Sequence, residues 1–130
     1  MSQLNDLMAK AYRTSYGELA WKRGDAIEAA QALADAGLAI LGGEVWYVLE
    51  DGTMYGTIPG FVLEGGLGSV FRWVCEPARR RSTETWQQFC ARAAAYTIEV
   101  LVDIDVERRI LPGMASSLRY NFGYISEAEE

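Results

Sequence analysis

Histidine is absent from this 130-residue chain. Its absence removes the commonest general base and the commonest metal ligand. No Ser-His-Asp or Cys-His mechanism can be assembled within one such chain. Carboxylate or tyrosine chemistry is left without a supporting constellation, so no catalytic residue is expected. Long hydrophobic runs are missing too. No apolar stretch approaches the roughly 18–20 residues needed to cross a bilayer. Met1-Ser2-Gln3-Leu4-Asn5-Asp6 lacks the basic and apolar regions of a signal peptide. A cytoplasmic protein with no membrane partner is the expectation.

Cysteine is scarce, and no CxxC pair occurs, which excludes zinc-ribbon and thioredoxin-like readings. Cys75 and Cys90 sit among apolar or aromatic neighbours and read as buried thiols, with a disulfide left open. Basic residues are missing from a long segment. Residues 24–71 hold no Lys or Arg, but carry Asp25, Glu28, Asp35, Glu44, Glu50, Asp51 and Glu64. The next segment is locally basic, with Arg72, Arg79, Arg80, Arg81 and Arg92 against Glu76 and Glu84. With a net charge of −6, the chain repels nucleic-acid phosphates and favours basic protein partners. A solvated acidic surface that only aids solubility fits the same charges.

What is present suits one globular domain over residues 1–130. Leu4, Leu7, Met8 and Ala11 predict a helix over residues 2–13, capped by Ser2. Leu19-Ala20-Trp21 reads as a short strand. Asp25-Ala26-Ile27-Glu28 has capping-box character, and Gly37 suits a left-handed C-terminal cap, giving a helix over residues 24–36. Leu38 to Leu41 form a strand entering Gly42-Gly43. A phosphate-cradling loop needs a helix after it and Lys or Ser/Thr beyond; here a strand follows and Glu44 would repel phosphate. The glycine pair therefore reads as a bulge or tight turn.

In the following strand Glu44, Trp46 and Val48 face one way, and Val45, Tyr47 and Leu49 the other. Asp51-Gly52 marks a hairpin turn, and residues 53–58 return as its partner strand. The glycine-rich residues 59–69 form either a partner-binding loop or a connection tucked on the core. Residues 70–74 read as a third strand with Phe71 and Trp73 on one face. Arg79-Arg80-Arg81 reads as a solvated turn. Ser82 or Thr83 caps a helix over residues 84–101, whose core stripe includes Trp86, Phe89 and Tyr96, with Arg92 on the other side. Asp103-Ile104-Asp105-Val106-Glu107 reads as an extended segment with its carboxylates toward water, not as a metal site. Leu118, Tyr120, Phe122 and Tyr124 alternate as a half-buried strand, and residues 126–130 form a frayed acidic tail. The order of elements predicts an α+β fold: a small antiparallel or mixed sheet with about three helices packed mainly on one face.

At Ala39-Ile40-Leu41-Gly42-Gly43-Glu44-Val45-Trp46 the chain resembles the immunity protein 40 family of bacterial polymorphic-toxin immunity proteins. The matching order is Trp21-Lys22-Arg23-Gly24-Asp25-Ala26-Ile27-Glu28, then the Gly-Gly strand, then Trp73-Val74-Cys75, then the helix from Ser82 to Ile98. The likeness spans residues 19–100. The loop over residues 61–69 is longer than the family pattern, and the N-terminal helix and everything after Leu101 lie outside the match.

The resemblance implies a protein without chemistry or cofactor. It would bind a cognate toxin C-terminal domain, basic in character, and block the toxin's active site. The implied contact residues are Glu44, Trp46, Glu50, Asp51, Tyr55 and Glu64, with Phe61 as apolar anchor. Trp46 and Tyr55 fit a core role equally well. Monomer and homodimer both suit this reading. A small-molecule-binding domain and a homodimeric adaptor are the alternatives.

Overall fold

The structure, a computed structural model, describes residues 3–104 and 106–130. Strand β3 (Leu38–Val48) is its axis. One edge of β3 pairs antiparallel with β6 (Leu118–Ser126), from Leu38 opposite Ser126 to Tyr47 opposite Leu118. Its other edge pairs with β4 (Met54–Tyr55) near the hairpin and with β5 (Arg72–Val74) at Gly42 to Glu44. Outside β6 lie β2 (Leu19–Trp21) and then β1 (Tyr12–Arg13). The result is a six-stranded, wholly antiparallel sheet.

Helices α1 (Gln3–Lys10), α2 (Arg23–Asp35), α3 (Trp86–Asp103) and the single turn α4 (Val106–Arg109) bury their apolar residues in one cluster against one sheet face. Period-2 alternation sorts the strands: Val45, Tyr47, Trp73, Leu118, Tyr120 and Phe122 enter that cluster. The α+β architecture is therefore as expected. The alanine-rich face of α2 lets it pack closely, with Ala26, Ala29, Ala30 and Leu33 all fully buried.

The glycine pair is a bulge. The β3–β6 register shifts between Ile40 and Gly42, which lets both Ala39 and Ile40 be buried on consecutive positions. A Cβ on Gly42 would strike the Trp73 carbonyl. One on Gly43 would strike the Asn121 carbonyl and lie 2.5 Å from the Trp73 ring. Glycine is required here by crowding on both flanks, not by an unusual φ.

Several local expectations are corrected. Residues 2–13 do not form one helix: α1 ends at Lys10, and Tyr12 and Arg13 are drawn into β1 by pairing with Ala20 and Leu19. The Ser2 cap lies outside the described residues. The capping box at Asp25 does not form, because α2 starts earlier, at Arg23, with Lys22 as N-cap and no side-chain cap; Asp25 instead pairs with Lys10 at 3.6 Å. The returning strand stops at Tyr55, and Ile58 turns away to exchange backbone hydrogen bonds with Ser69. Helix α3 is capped by Thr85, in a reciprocal box with Gln88, and not by Ser82 or Thr83.

Asp103 and Glu107 do not share one extended strand, since Asp103 ends α3 and α4 begins at Val106. Glu107 faces the protein: it accepts the buried Tyr120 hydroxyl at 2.8 Å and lies 3.7 Å from Arg23. Asp105 lies outside the described residues. The tail is not frayed: Ser126 and Glu129 form a capping box, and Arg80 reaches Glu127 and Glu130 at 3.8 and 2.8 Å.

Arg92, expected on the outer side of α3, is a strut. Its guanidinium grips both Glu84 oxygens, at 2.7 and 2.9 Å. It also donates to the Pro77 and Arg79 carbonyls at 3.1 and 2.9 Å, and to Cys75 Sγ at 3.7 Å. A rigid fork of donors suits this many-sided role better than lysine would. Both cysteines are buried free thiols.

Two tests follow from this frame. Gly43→Ala should lower unfolding stability by about 1–3 kcal/mol by overpacking, read from urea denaturation; an unchanged midpoint would contradict the crowding. The Arg92 hydrogen bond, helped by the Arg81 amide, holds the Glu84 carboxyl down at about 2 against an ordinary 4.5. A depressed carboxyl stabilises the fold above 4.5 and loses that contribution as the pH falls toward 2. Glu84→Gln should therefore be less stable than wild type at pH 7, and the two denaturation curves should converge by pH 2. Curves that stay parallel over that window would show that the pair is not linked to folding.

Candidate protein-binding surface

The residues singled out in the sequence fall into separate places. Glu44 and Trp46 lie on the sheet face away from the helices. Trp46 is 1% exposed. It packs with Ala20 and Val48 in a small second cluster, under Met54 and Tyr12, whose ring meets it edge-on at 6.3 Å. Its indole donates to Glu44 Oε1 at 2.7 Å, which holds a half-buried carboxylate in place. Trp46 has no surface to offer a partner. The expectation of a contact residue meets a physical obstacle: the sheet curls until the Tyr12 hydroxyl reaches the Gly52 carbonyl at 2.9 Å, closing β1 over the hairpin.

Glu50 and Asp51 occupy the exposed hairpin tip. The loop is Glu50-Asp51-Gly52, with Gly52 at φ 91° and Leu49 accepting the Gly52 amide at 2.9 Å. Asp51 Oδ1 accepts the Thr53 amide at 2.9 Å. That backbone hydrogen bond pulls its pKa below the usual carboxylate range, so the tip stays charged.

Tyr55 and Phe61 come together around Tyr47. Tyr55 lies opposite Tyr47 across the β3–β4 pair. Phe61 meets the Tyr47 ring edge-on at 6.2 Å, and the Tyr47 hydroxyl donates to Met114 Sδ at 3.5 Å. Tyr47 is buried, whereas Phe61 is 64% exposed, and Tyr55 and Met114 each 38%. The loop that carries Phe61 is tucked on the core along its inner side and open to solvent along its outer side. Its inner residues, Val62 and Leu63, are buried and tied to Leu111 and Ile110. Its outer residues, Phe61 and Leu67, face solvent. Ile58 and Ser69 cinch its neck, and Gly60 fits only because Gly66 passes within contact of the place a Cβ would take. Glu64 is exposed, and its amide is held by the Arg109 carbonyl at 2.7 Å.

The acidic block is therefore not one surface. Asp25, Glu28 and Asp35 ride on α2 over the helix side, Glu44 lies on the opposite face, and Glu50 and Asp51 sit at the tip. Met114, which completes the patch around Tyr47, had no sequence signal, because it is placed by the turn after α4. Among the described residues, no group of three or more His, Cys, Asp or Glu is placed to hold a metal ion. No described helix is long and apolar enough to cross a membrane.

What these residues build is an α+β domain offering a rigidly backed aromatic patch beside charged loop tips, a surface suited to protein recognition. Residues 10–111 match the profile of the family described as immunity protein 40, so the chain belongs to that family. The match takes in β1 and the end of α4, beyond the stretch of likeness evident from the motifs. No curated protein and no solved structure matches the chain.

The patch and its backing separate by stability. Phe61→Ala should leave the unfolding free energy within about 0.5 kcal/mol of wild type, as exposed substitutions do. Tyr47→Ala should cost about 3 kcal/mol or more, as large-to-small core changes do. A strongly destabilised Phe61→Ala would mean that Phe61 is a core residue and not a free anchor.

Proposed function

We propose that this protein neutralises a cognate bacterial toxin by binding the toxin's C-terminal domain and covering its active site, without catalysis or cofactor. The observation that carries this reading is the family match over residues 10–111. The domain would act in the cytoplasm, as a single folded unit. Phe61 and Tyr55 supply the anchors: aromatic, exposed, and backed by a buried ring so that little side-chain freedom is lost on binding. Glu50, Asp51 and Glu64 supply charge around them, suited to steering a basic toxin domain. Glu44 belongs to the opposite face and contributes to Trp46 rather than to this patch.

The test is protection of cells that express the toxin domain, together with affinity for the purified toxin. Phe61→Ala should weaken binding by about 2 kcal/mol or more, the scale of a hot-spot anchor, chiefly through faster dissociation. Glu50→Lys combined with Asp51→Lys should slow association without altering the unfolding midpoint. Full protection by both variants, each folded, would remove this surface from the interface.

A further inference from the structure

The face around the hairpin also carries a groove of unlike charge. It has a volume of about 380 Å³, and its lining includes Lys22, Glu50, Ser116, Ser117 and Arg119. Arg119 stands opposite Trp46 in the β3–β6 ladder, on the sheet face away from the helices. One of its terminal nitrogens, Nη1, donates to the Ser116 and Leu118 carbonyls at 2.6 and 2.9 Å. Among the described residues, its Nε and Nη2 meet no carboxylate or carbonyl, and neither is sealed from solvent. The guanidinium is half-buried, and burial lowers its pKa. Lys22, exposed at the N-cap position of α2, makes no ion pair among the described residues and caps nothing with its side chain. Of the other half-buried arginines, Arg23, Arg80 and Arg92 each find a glutamate and Arg109 lies over the Phe71 ring. Two cations therefore line one groove without an ion pair among the described residues, with N–H groups left for an anionic ligand.

We infer that this groove receives a carboxylate-bearing side chain, Asp or Glu, of the protein partner. The occupant rests on the toxin-binding reading above; the chemistry of the groove does not. Unused guanidinium N–H groups accept a planar carboxylate in forked fashion. Lys22 adds a point charge, and the Ser116 and Ser117 hydroxyls add donors. Val48, Leu49 and the Tyr12 ring form an apolar wall for a methylene stem. Glu50 in the rim disfavours a phosphate dianion and leaves room for a single negative charge. The groove adjoins the acidic tip, so the surface reads a partner of alternating charge and not simply a basic one.

The probe is N-acetyl-glutamic acid α-amide, which carries one carboxylate on a short stem, titrated into the isolated full chain and followed by amide NMR. Saturable shifts are expected at Lys22, Ser116, Ser117 and Arg119, with none from the matching glutamine compound and a weaker response to inorganic phosphate. Lys22→Ala should weaken the response about tenfold, one lost charge contact, without disturbing the turn that Arg119 holds; Arg119→Gln should abolish it. With the toxin, Lys22→Ala should raise the dissociation constant by a similar factor. No saturable shift, an equal response to the glutamine compound, or tighter binding of phosphate would overturn the groove's assignment. A toxin bound equally well by wild type and Lys22→Ala would overturn the inference alone. A toxin that the wild type does not bind at all would overturn the toxin-binding reading, and with it the occupant, whatever the titration gives.

Discussion

The long antiparallel ladder between β3 and β6 is the constraint on which the rest of the molecule depends. It joins segments about 80 residues apart in sequence, from Leu38 opposite Ser126 to Tyr47 opposite Leu118. Closing so long a loop is entropically unfavourable until many contacts form together. The ladder recovers that cost through its side chains. Val45, Tyr47, Leu118, Tyr120 and Phe122 all enter the same apolar cluster as α2 and α3. The bulge at Gly42 sets the register for the first half of β3, and β5 then packs Trp73 over Gly43. A side chain at either glycine would separate β3 from a neighbour on one edge or the other.

Polar struts tie the connections to this frame. Trp21 donates its indole proton to the Leu7 carbonyl at 2.8 Å, and Trp86 donates to Gly37 at 2.7 Å. Arg23 donates to the Leu101 and Val102 carbonyls at the end of α3 and approaches Glu107. Arg92 gathers the turn between β5 and α3. Each satisfies backbone groups that would otherwise go unpaired at the ends of elements. Loops so held are rigid platforms, which is what a recognition surface needs to avoid losing affinity to ordering.

The candidate contact features lie toward one end of the sheet. The hairpin tip and the Lys22–Arg119 groove share Glu50 and Gly52, and the Phe61 loop packs on Tyr47, the β3 residue opposite Tyr55 of β4. The curl that brings Tyr12 to Gly52 joins the hairpin tip to the groove. Membership of the immunity protein 40 family gives this arrangement its context. Within it, a backed aromatic anchor beside charges of both signs would be a means of choosing one partner among similar ones.

Strongly periodic segments were legible from residues alone. The apolar stripes of α2 and α3, the two-faced β3, the alternation of β6 and the bulge at Gly42-Gly43 all follow from spacing and residue type. So did the family, because its motifs are local runs of residues. Segments whose fate rests on distant partners were not legible. Tyr12 and Arg13 leave a helical pattern because a sheet edge is available. Glu107 turns inward because Tyr120 and Arg23 await it. Arg92 looks like a solvent residue until Glu84 and three carbonyls surround it. For the site, the sequence named Phe61, Tyr55, Glu50 and Asp51 as chemistry suited to contact. Only the fold decided that Trp46 is buried, that Tyr55 and Phe61 share Tyr47, and that Lys22 and Arg119 line one groove. Periodicity determines which face of an element is apolar; which elements meet across that face is decided by burial and pairing between residues far apart in the chain.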